Sequence, residues 1–260
     1  MNKEYRAKSQ FGLAGKLRTS QSLILSGPQS AGVAAYKLSG TAARASLLQN
    51  LSLDSTDGGT VDQIKIAGQN LNVSDQPGHV EAFSSKSNAV GTRQRFIGIA
   101  VKAQQASTIA IDGTLTAAGD INFACSLHPL DDDQVPTIEE QASFFNYFCG
   151  LGTGVIAAGG TGQLRAVTTR SCKLGWMVLT NNTAAVPNAD LTITSVEVNG
   201  LEMLGGNNDQ AVPFDTFAPE AGDVLGNMLH ADVEANAVIL ITFANKNAAA
   251  ATVAGTIFCE

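Results

Sequence analysis

Val61-Asp62-Gln63-Ile64-Lys65-Ile66-Ala67-Gly68 reads as an alternating strand closed by a glycine turn. Period-two alternation puts apolar side chains on one face of an extended segment, and the small Ala-Gly pair lets the chain reverse. Ile193-Thr194-Ser195-Val196-Glu197-Val198-Asn199-Gly200 reads the same way 132 positions later. Val61, Ile64, Ile66 and Leu71 then stand against Ile193, Val196, Val198 and Met203. A strand–turn unit that recurs points to a chain made of two copies of one module.

Working outward, the same offset sets Asn50 against Asn182, Leu47 against Leu179, Gly27 against Gly159 and Ile24 against Ile156. Downstream an offset of 134 aligns Phe83 with Phe217, Ile99 with Val233, Thr108 with Thr242, Ile109 with Phe243 and Cys125 with Cys259. The halves so defined run over residues 1–128 and 129–260.

Each half is dominated by short runs of Val, Ile, Leu and Thr. The runs expected as strands in the first half are 22–25, 33–38, 46–53, 61–66, 79–83, 95–103, 107–112 and 120–127. In the second they are 153–157, 163–169, 174–180, 191–198, 201–204, 224–233, 237–243 and 252–259. Turn formers such as Asp57-Gly58-Gly59, Asp112-Gly113 and Asn207-Asn208-Asp209 lie between runs. About eight strands per half is the count of a two-sheet sandwich or barrel. The absence of strand–helix alternation argues against a parallel α/β sheet. One short helix is expected where Thr137 and Glu140 form a capping box, with Ile138, Phe145 and Phe148 on one face and Gly150 as the stop. Its counterpart by repeat position is Lys3–Leu13. Pro129, Asp131-Asp132-Asp133 and Pro136 mark the linker between halves.

Composition narrows the function classes. Only 15% of the 260 residues are charged, so the surface must be kept wet by Ser, Thr, Asn, Gln and Gly or be covered by neighbours. The charge is also polarised. Residues 1–44 carry Lys3, Arg6, Lys8, Lys16, Arg18, Lys37 and Arg44 against Glu4 alone, which is +6 within a net charge of −7 and leaves −13 for the rest. A basic leading end on an acidic body suits an anionic neighbour such as nucleic acid or lipid headgroups. No stretch approaches the roughly 20 apolar residues that cross a bilayer. Met1-Asn2-Lys3-Glu4-Tyr5 lacks the apolar core of a secretory signal.

Constellations that carry chemistry are lacking. Cys125, Cys149, Cys172 and Cys259 show no Cys-x-x-Cys spacing, so free buried thiols are expected. His79, His128 and His230 have no metal-ligand spacing and read as ordinary loop or edge histidines. The Asp131–Asp133 run lacks the alternation of a calcium loop. Gly150-Leu151-Gly152-Thr153-Gly154 and Gly159-Gly160-Thr161-Gly162 lack the Lys-Ser/Thr of a phosphate loop and read as turns between strands. There is no Gly-x-Ser-x-Gly elbow. Asn181-Asn182-Thr183 matches a glycosylation acceptor, but nothing in the sequence indicates secretion. With one Trp and three Tyr, stacking platforms for sugars are scarce, and Trp176 within Leu174–Leu179 reads as core. The chain is expected to be non-enzymatic, with no cofactor and no metal.

The duplicated units Val61–Leu71 and Ile193–Met203, with the closing strands Asp120–Leu127 and Ala251–Glu260, carry a family resemblance. The chain resembles the double jelly-roll major capsid proteins of icosahedral, often membrane-containing, double-stranded DNA viruses and bacteriophages. The likeness is architectural, and these modules leave little room for the long tower loops of larger members. It implies an all-β fold of two tandem eight-stranded antiparallel jelly-roll sandwiches, each preceded by a short helix. It also implies a homotrimer of pseudo-hexameric outline, contacts with neighbouring capsomers and minor capsid proteins, and a place in the virion after synthesis in the host cytoplasm. Lys3, Tyr5, Arg6, Lys8, Phe11, Leu13, Lys16 and Arg18 would then face an internal membrane or the genome, by electrostatic attraction and shallow apolar burial. Two other readings stay open: a tandem β-sandwich carbohydrate-binding or adhesin-like module, and a minor virion or spike protein.

Overall fold

Strand pairing folds the chain twice into the same pattern. The computed structural model describes residues 21–28, 35–42, 45–84, 101–103, 106–117, 119–129, 147–204, 211–219 and 228–260. The first group of strands is β1 (Gln21–Pro28), β2 (Ala35–Thr41), β3 (Ser46–Ser55), β4 (Gly59–Ile66), β5 (Gln69–Asn70), β6 (Gly78–His79), β7 (Val101–Ala103), β8 (Thr108–Leu115) and β9 (Asp120–Pro129). The second is β10 (Tyr147–Ile156), β11 (Thr161–Val167), β12 (Cys172–Asn181), β13 (Leu191–Val198), β14 (Leu201–Glu202), β15 (Val212–Pro213), β16 (Met228–Val233), β17 (Val238–Asn245) and β18 (Ala251–Cys259).

The first group makes two sheets, ordered β1-β9-β3-β7 and β2-β8-β4-β5, with the two-residue β6 added beside β4. The second repeats this as β10-β18-β12-β16 and β11-β17-β13-β14, with β15 beside β13. In each group the outermost strands pair first with last, second with second-last, and so inward to the β4–β5 or β13–β14 hairpin. That is one long antiparallel ribbon, folded in half and rolled until β9 meets β3 and β8 meets β4. The result is the jelly roll, with eight principal strands and one short one per sandwich.

The two decisive strands match in detail. β4 and β13 share one order of buried and exposed positions, and each holds a β-bulge at the same place, between Val61 and Gln63 and between Ile193 and Ser195. The bulge absorbs the extra polar residue that breaks strict alternation, so Val61, Ile64 and Ile66 still reach one core. Each strand ends in a two-residue turn with both residues at positive φ: Ala67 at 51° and Gly68 at 83°, Asn199 at 52° and Gly200 at 77°. Such turns twist in the sense that antiparallel strands require.

Several expectations change. Val80–Phe83 is a 3-10 turn rather than a strand, and Phe214–Phe217 is its counterpart, so the pairing of Phe83 with Phe217 holds. Phe148 and Gly150, expected in or beside a helix, lie in strand β10. Residues 137–146 and 3–13, where the two helices were expected, lie outside the described residues. The constant offset upstream fails, and so does the offset of 134 for Thr108 and Ile109: Ile66 faces Ile109 as Val198 faces Ile239, so β8 and β17 correspond at 130 positions. Leu38 lies opposite Ile111 and Leu164 opposite Ile241, so β2 and β11 correspond at 126 positions rather than 132. Leu23 faces Cys125 as Cys149 faces Ile257, which makes Ile257 the counterpart of Cys125 in place of Cys259. The cause is loop length. Three residues join β3 to β4, whereas nine join β12 to β13 and include the 3-10 turn Asn188–Asp190.

Candidate functional site at the junction of the two sandwiches

The segment after β5 leaves its own sandwich and lies along the other. Phe148 N–H donates to Leu71 O at 3.0 Å and Val73 N–H to Phe148 O at 2.8 Å. Farther on, Asp75 N–H donates to Val167 O at 3.0 Å, Thr169 N–H to Val73 O at 2.8 Å, and Gly152 N–H to Pro77 O at 3.0 Å. β10 and β11 are edge strands of the second sandwich's two sheets. The segment Leu71–His79 therefore satisfies backbone groups of β10 and of the residues ending β11, on edges that would otherwise invite pairing with another chain.

Side chains lock this crossing. Asn72 Oδ1 accepts from Gly150 N–H at 3.2 Å, while its Nδ2 donates to Asp62 O at 3.0 Å and Gln76 O at 2.8 Å. Ser74 Oγ lies 2.8 Å from Gly150 O and 2.9 Å from Asn72 Oδ1. Asp75 Oδ1 accepts from Val167 N–H at 2.7 Å. The glycine-rich stretch 150–154, expected as a turn, is continuous strand with a bulge between Gly150 and Gly152. Its glycines answer to packing. A Cβ on Gly150 would overlap the backbone of Gln76, Pro77 and Gly78. Gly152 has φ +71°, a conformation side chains disfavour.

The apolar part of the junction crosses the same boundary. Val73 packs in the second sandwich's core, whereas Phe148, Trp176, Val178 and Phe258 pack with the first sandwich's core. Phe83 meets Phe148 and Phe258 edge-on, with ring centroids 5.1 and 5.3 Å away. β12 and β18 are consequently buried on both faces over most of their length. That explains their nearly unbroken apolar runs.

His79 closes the junction. The sequence reading of an ordinary loop or edge histidine needs correction, because the ring is 3% exposed between the two sandwiches. Its backbone N–H donates to Thr256 Oγ1 at 2.9 Å. Nδ1 accepts from Glu81 N–H at 3.4 Å and lies 3.1 Å from Thr180 Oγ1. Nε2 lies 3.1 Å from the Asn182 side-chain amide. With two donors at Nδ1, the ring proton belongs on Nε2, the nitrogen that faces the Asn182 side-chain amide. Burial lowers the His79 pKa to about 4, so the ring is neutral near pH 7. Nothing in the local sequence marks this residue; its partners in the second sandwich lie 101 to 177 positions away.

The remaining candidates separate. Lys3, Tyr5, Arg6, Lys8, Phe11, Leu13, Lys16, Arg18 and the aspartates 131–133 lie outside the described residues. Trp176 is buried as expected, but on the sheet face that meets the other sandwich. The Asn181 side-chain amide is held by Val186 O and Asn188 Oδ1 at 2.7 and 3.2 Å. Among the described residues no group of His, Cys, Asp and Glu is placed to hold a metal ion, and no helix is long and apolar enough to cross a membrane.

No family model matches the chain, and no curated protein does. Among solved structures the chain is similar to the major capsid protein P2 from Bacteriophage PM2. The identity is 10% and the TM-score 0.38, over 92% of this chain and 98% of that one.

Proposed function

We propose that the chain is a structural major capsid protein: an internally duplicated double jelly roll, divided at about residues 128/129, that trimerises into pseudo-hexameric capsomers. The observation that carries this reading is the directional junction. The first sandwich extends a segment over the edge of the second, and the second has the same strand order. In the first sandwich β1 and β2 hold the edge positions that β10 and β11 hold in the second, so that edge is the one a neighbouring copy would cover. A head-to-tail contact of this kind closes into a ring when the rotation allows it, and three chains of two modules make six similar walls. The role is structural rather than catalytic, and its place is the virion.

In this reading Lys3, Arg6, Lys8, Lys16 and Arg18 face an anionic inner layer of lipid or genome, with Tyr5, Phe11 and Leu13 buried shallowly in a lipid surface. Each cation near such a surface contributes roughly 1 kcal/mol, so three chains together hold what one holds weakly. The test is the solution mass of the purified chain, followed by imaging of any larger assemblies. A stable species of three times 26.9 kDa, or sheets and shells built from it, supports the proposal. A monomer at every concentration overturns it. Deletion of residues 2–18 with unchanged lipid or nucleic-acid association in assembled particles overturns the assignment of the basic segment.

A further inference from the structure

The His79 ring joins two things that hold the sandwiches together. It caps the 3-10 turn Val80–Phe83, with Nδ1 accepting from Glu81 N–H. At its other end the turn is closed by Ser84 N–H, which donates to Glu81 O. This turn carries Phe83, buried and edge-on to Phe148 of β10 and Phe258 of β18. The same ring reaches the second sandwich at Thr180 and Asn182, while the His79 backbone reaches it at Thr256. One imidazole thus ties the aromatic anchor of the first sandwich to β12 and β18. The fit beside it is close: a Cβ on Gly78 would come within 3.1 Å of the Phe148 ring and 3.2 Å of Thr256 Oγ1.

We propose that His79 is an acid-sensitive latch: a proton on Nδ1 uncaps the Val80–Phe83 turn, loosens Phe83 from Phe148 and Phe258, and opens the junction while each sandwich keeps its own strand ladders. The neutral ring offers Nδ1 as the acceptor that Glu81 N–H uses. Once protonated, Nδ1 faces that N–H donor to donor. The Thr180 hydroxyl can rotate to accept, but a backbone N–H cannot. The cap is lost, and a positive charge is left between two packed sandwiches.

The titratable groups on the surrounding elements stand apart from the ring. On the 3-10 turn, Glu81 is exposed, and its Oε1 lies 3.9 Å from where a Cβ on Gly58 would be. On β4, where Thr60 pairs with His79, Asp62 is exposed and accepts from the Thr60 hydroxyl at 3.2 Å, and Lys65 lies five residues beyond Thr60. On β10, Cys149 packs in the second core, and Arg170 stacks on the Tyr147 ring. Cys259 of β18 packs in that core too. Cys172 and Lys173 lie at the start of β12, at the opposite end from Thr180, and Lys173 pairs there with Glu260. Asp75, on the crossing segment, accepts from Val167 N–H. Burial is accordingly the cause that lowers the His79 pKa.

The latch rests on the junction alone and stands whether or not the chain builds shells. The ring titrates at about 4 in place and at 6.5 once water reaches it, so opening is favoured as pH falls below 6.5. Between pH 7 and pH 4.5 the opening constant should rise by up to about fiftyfold. Hydrogen exchange on the full chain, corrected for the intrinsic effect of pH, measures it. Protection of the His79, Phe148 and Gly152 amides should fall at least about tenfold at pH 4.5, while that of the β13–β17 ladder stays within about twofold. Trp176, the single tryptophan, lies on the junction face and gives a second reading. In urea at pH 4.5 its emission should change before the far-UV circular dichroism does, and the gap should narrow at pH 7. His79→Gln stays neutral, and its junction protection should shift by less than about twofold between the two pH values. Equal loss of protection at junction and ladder overturns the proposal, as does no loss at either. So does a pH response in His79→Gln as large as that of the wild type. Should that variant not fold, the wild-type comparison of junction with ladder decides alone.

Discussion

His79 of the first sandwich and Thr180 of the second meet at 3.1 Å, ring nitrogen to hydroxyl, in a pocket that burial keeps neutral. Protonation would place a positive charge where Nδ1 now accepts two hydrogen bonds. The folded pKa, about 4, lies below the 6.5 of an exposed histidine, so between those values the unfolded chain binds a proton that the folded chain does not. His79 therefore contributes stability that is fully present above about pH 6.5 and is lost as pH falls towards 4. The difference is up to roughly 3 kcal/mol. Urea unfolding at pH 7 and pH 4.5 should show this loss, and His79→Gln should flatten the dependence across that window. An equal pH slope in wild type and variant would remove His79 as its source.

Gly150 and Gly159 test two different reasons for glycine. At Gly150 a methyl group overlaps the backbone of residues 76–78, so Gly150→Ala must push the crossing segment off β10. A loss of about 2–3 kcal/mol is expected. Gly159 has open space around it and φ +59°, so Gly159→Ala strains only the turn and costs about 1 kcal/mol. Denaturant midpoints of the two variants should fall in that order, and the reverse order would mean that the crossing gives way cheaply.

The repeated hairpin turn predicts a gain. Ala67 holds φ 51° where its counterpart Asn199 holds 52°, and asparagine tolerates that conformation better than alanine. Ala67→Asn should raise stability by about 0.5–1 kcal/mol, and Asn199→Ala should lower it by a similar amount. Thermal melts of the two single variants are the measurement. A fall in stability for Ala67→Asn would show that the two turns differ in environment despite their matching dihedrals.

How far the sequence could be read follows from where each contact sits along the chain. The strand Gly59–Ile66 and its copy were legible because alternation, bulge and turn all lie within ten residues. The jelly-roll order was not in the local pattern. It depends on pairings such as Leu23 with Cys125, and it entered through a family resemblance. Val80–Phe83 was misread because one 3-10 turn of apolar residues looks like a short strand. Phe148 and Gly150 were misread because a capping box upstream made a helix the natural continuation. The junction was illegible for a different reason. Asn72, Ser74 and His79 are ordinary loop residues in sequence, and only the fold brings Gly150, Thr180, Asn182 and Thr256 to them.

Phe258 offers a probe of the junction that leaves the second core intact. It lies in β18, yet its ring packs with the first sandwich and sits 5.3 Å from Phe83, edge to face. Phe258→Ala removes that contact and leaves a cavity against Phe83, at a cost of about 3–5 kcal/mol. Phe243, in β17, is buried in the second core and tilted against Phe214 at 6.2 Å, so Phe243→Ala should cost as much by a different route. Hydrogen exchange separates the two. In Phe258→Ala the amides that bridge the sandwiches, Val73, Phe148 and Gly152, should exchange faster while the β13–β17 ladder keeps its protection. In Phe243→Ala the ladder should lose protection too. A double-mutant cycle between Phe83→Ala and Phe258→Ala should return a coupling of about 0.5–1.5 kcal/mol, the range of an edge-on aromatic pair. No coupling, or loss of ladder protection in Phe258→Ala, would mean that the two sandwiches unfold as one unit and that the ring pair does not hold them together.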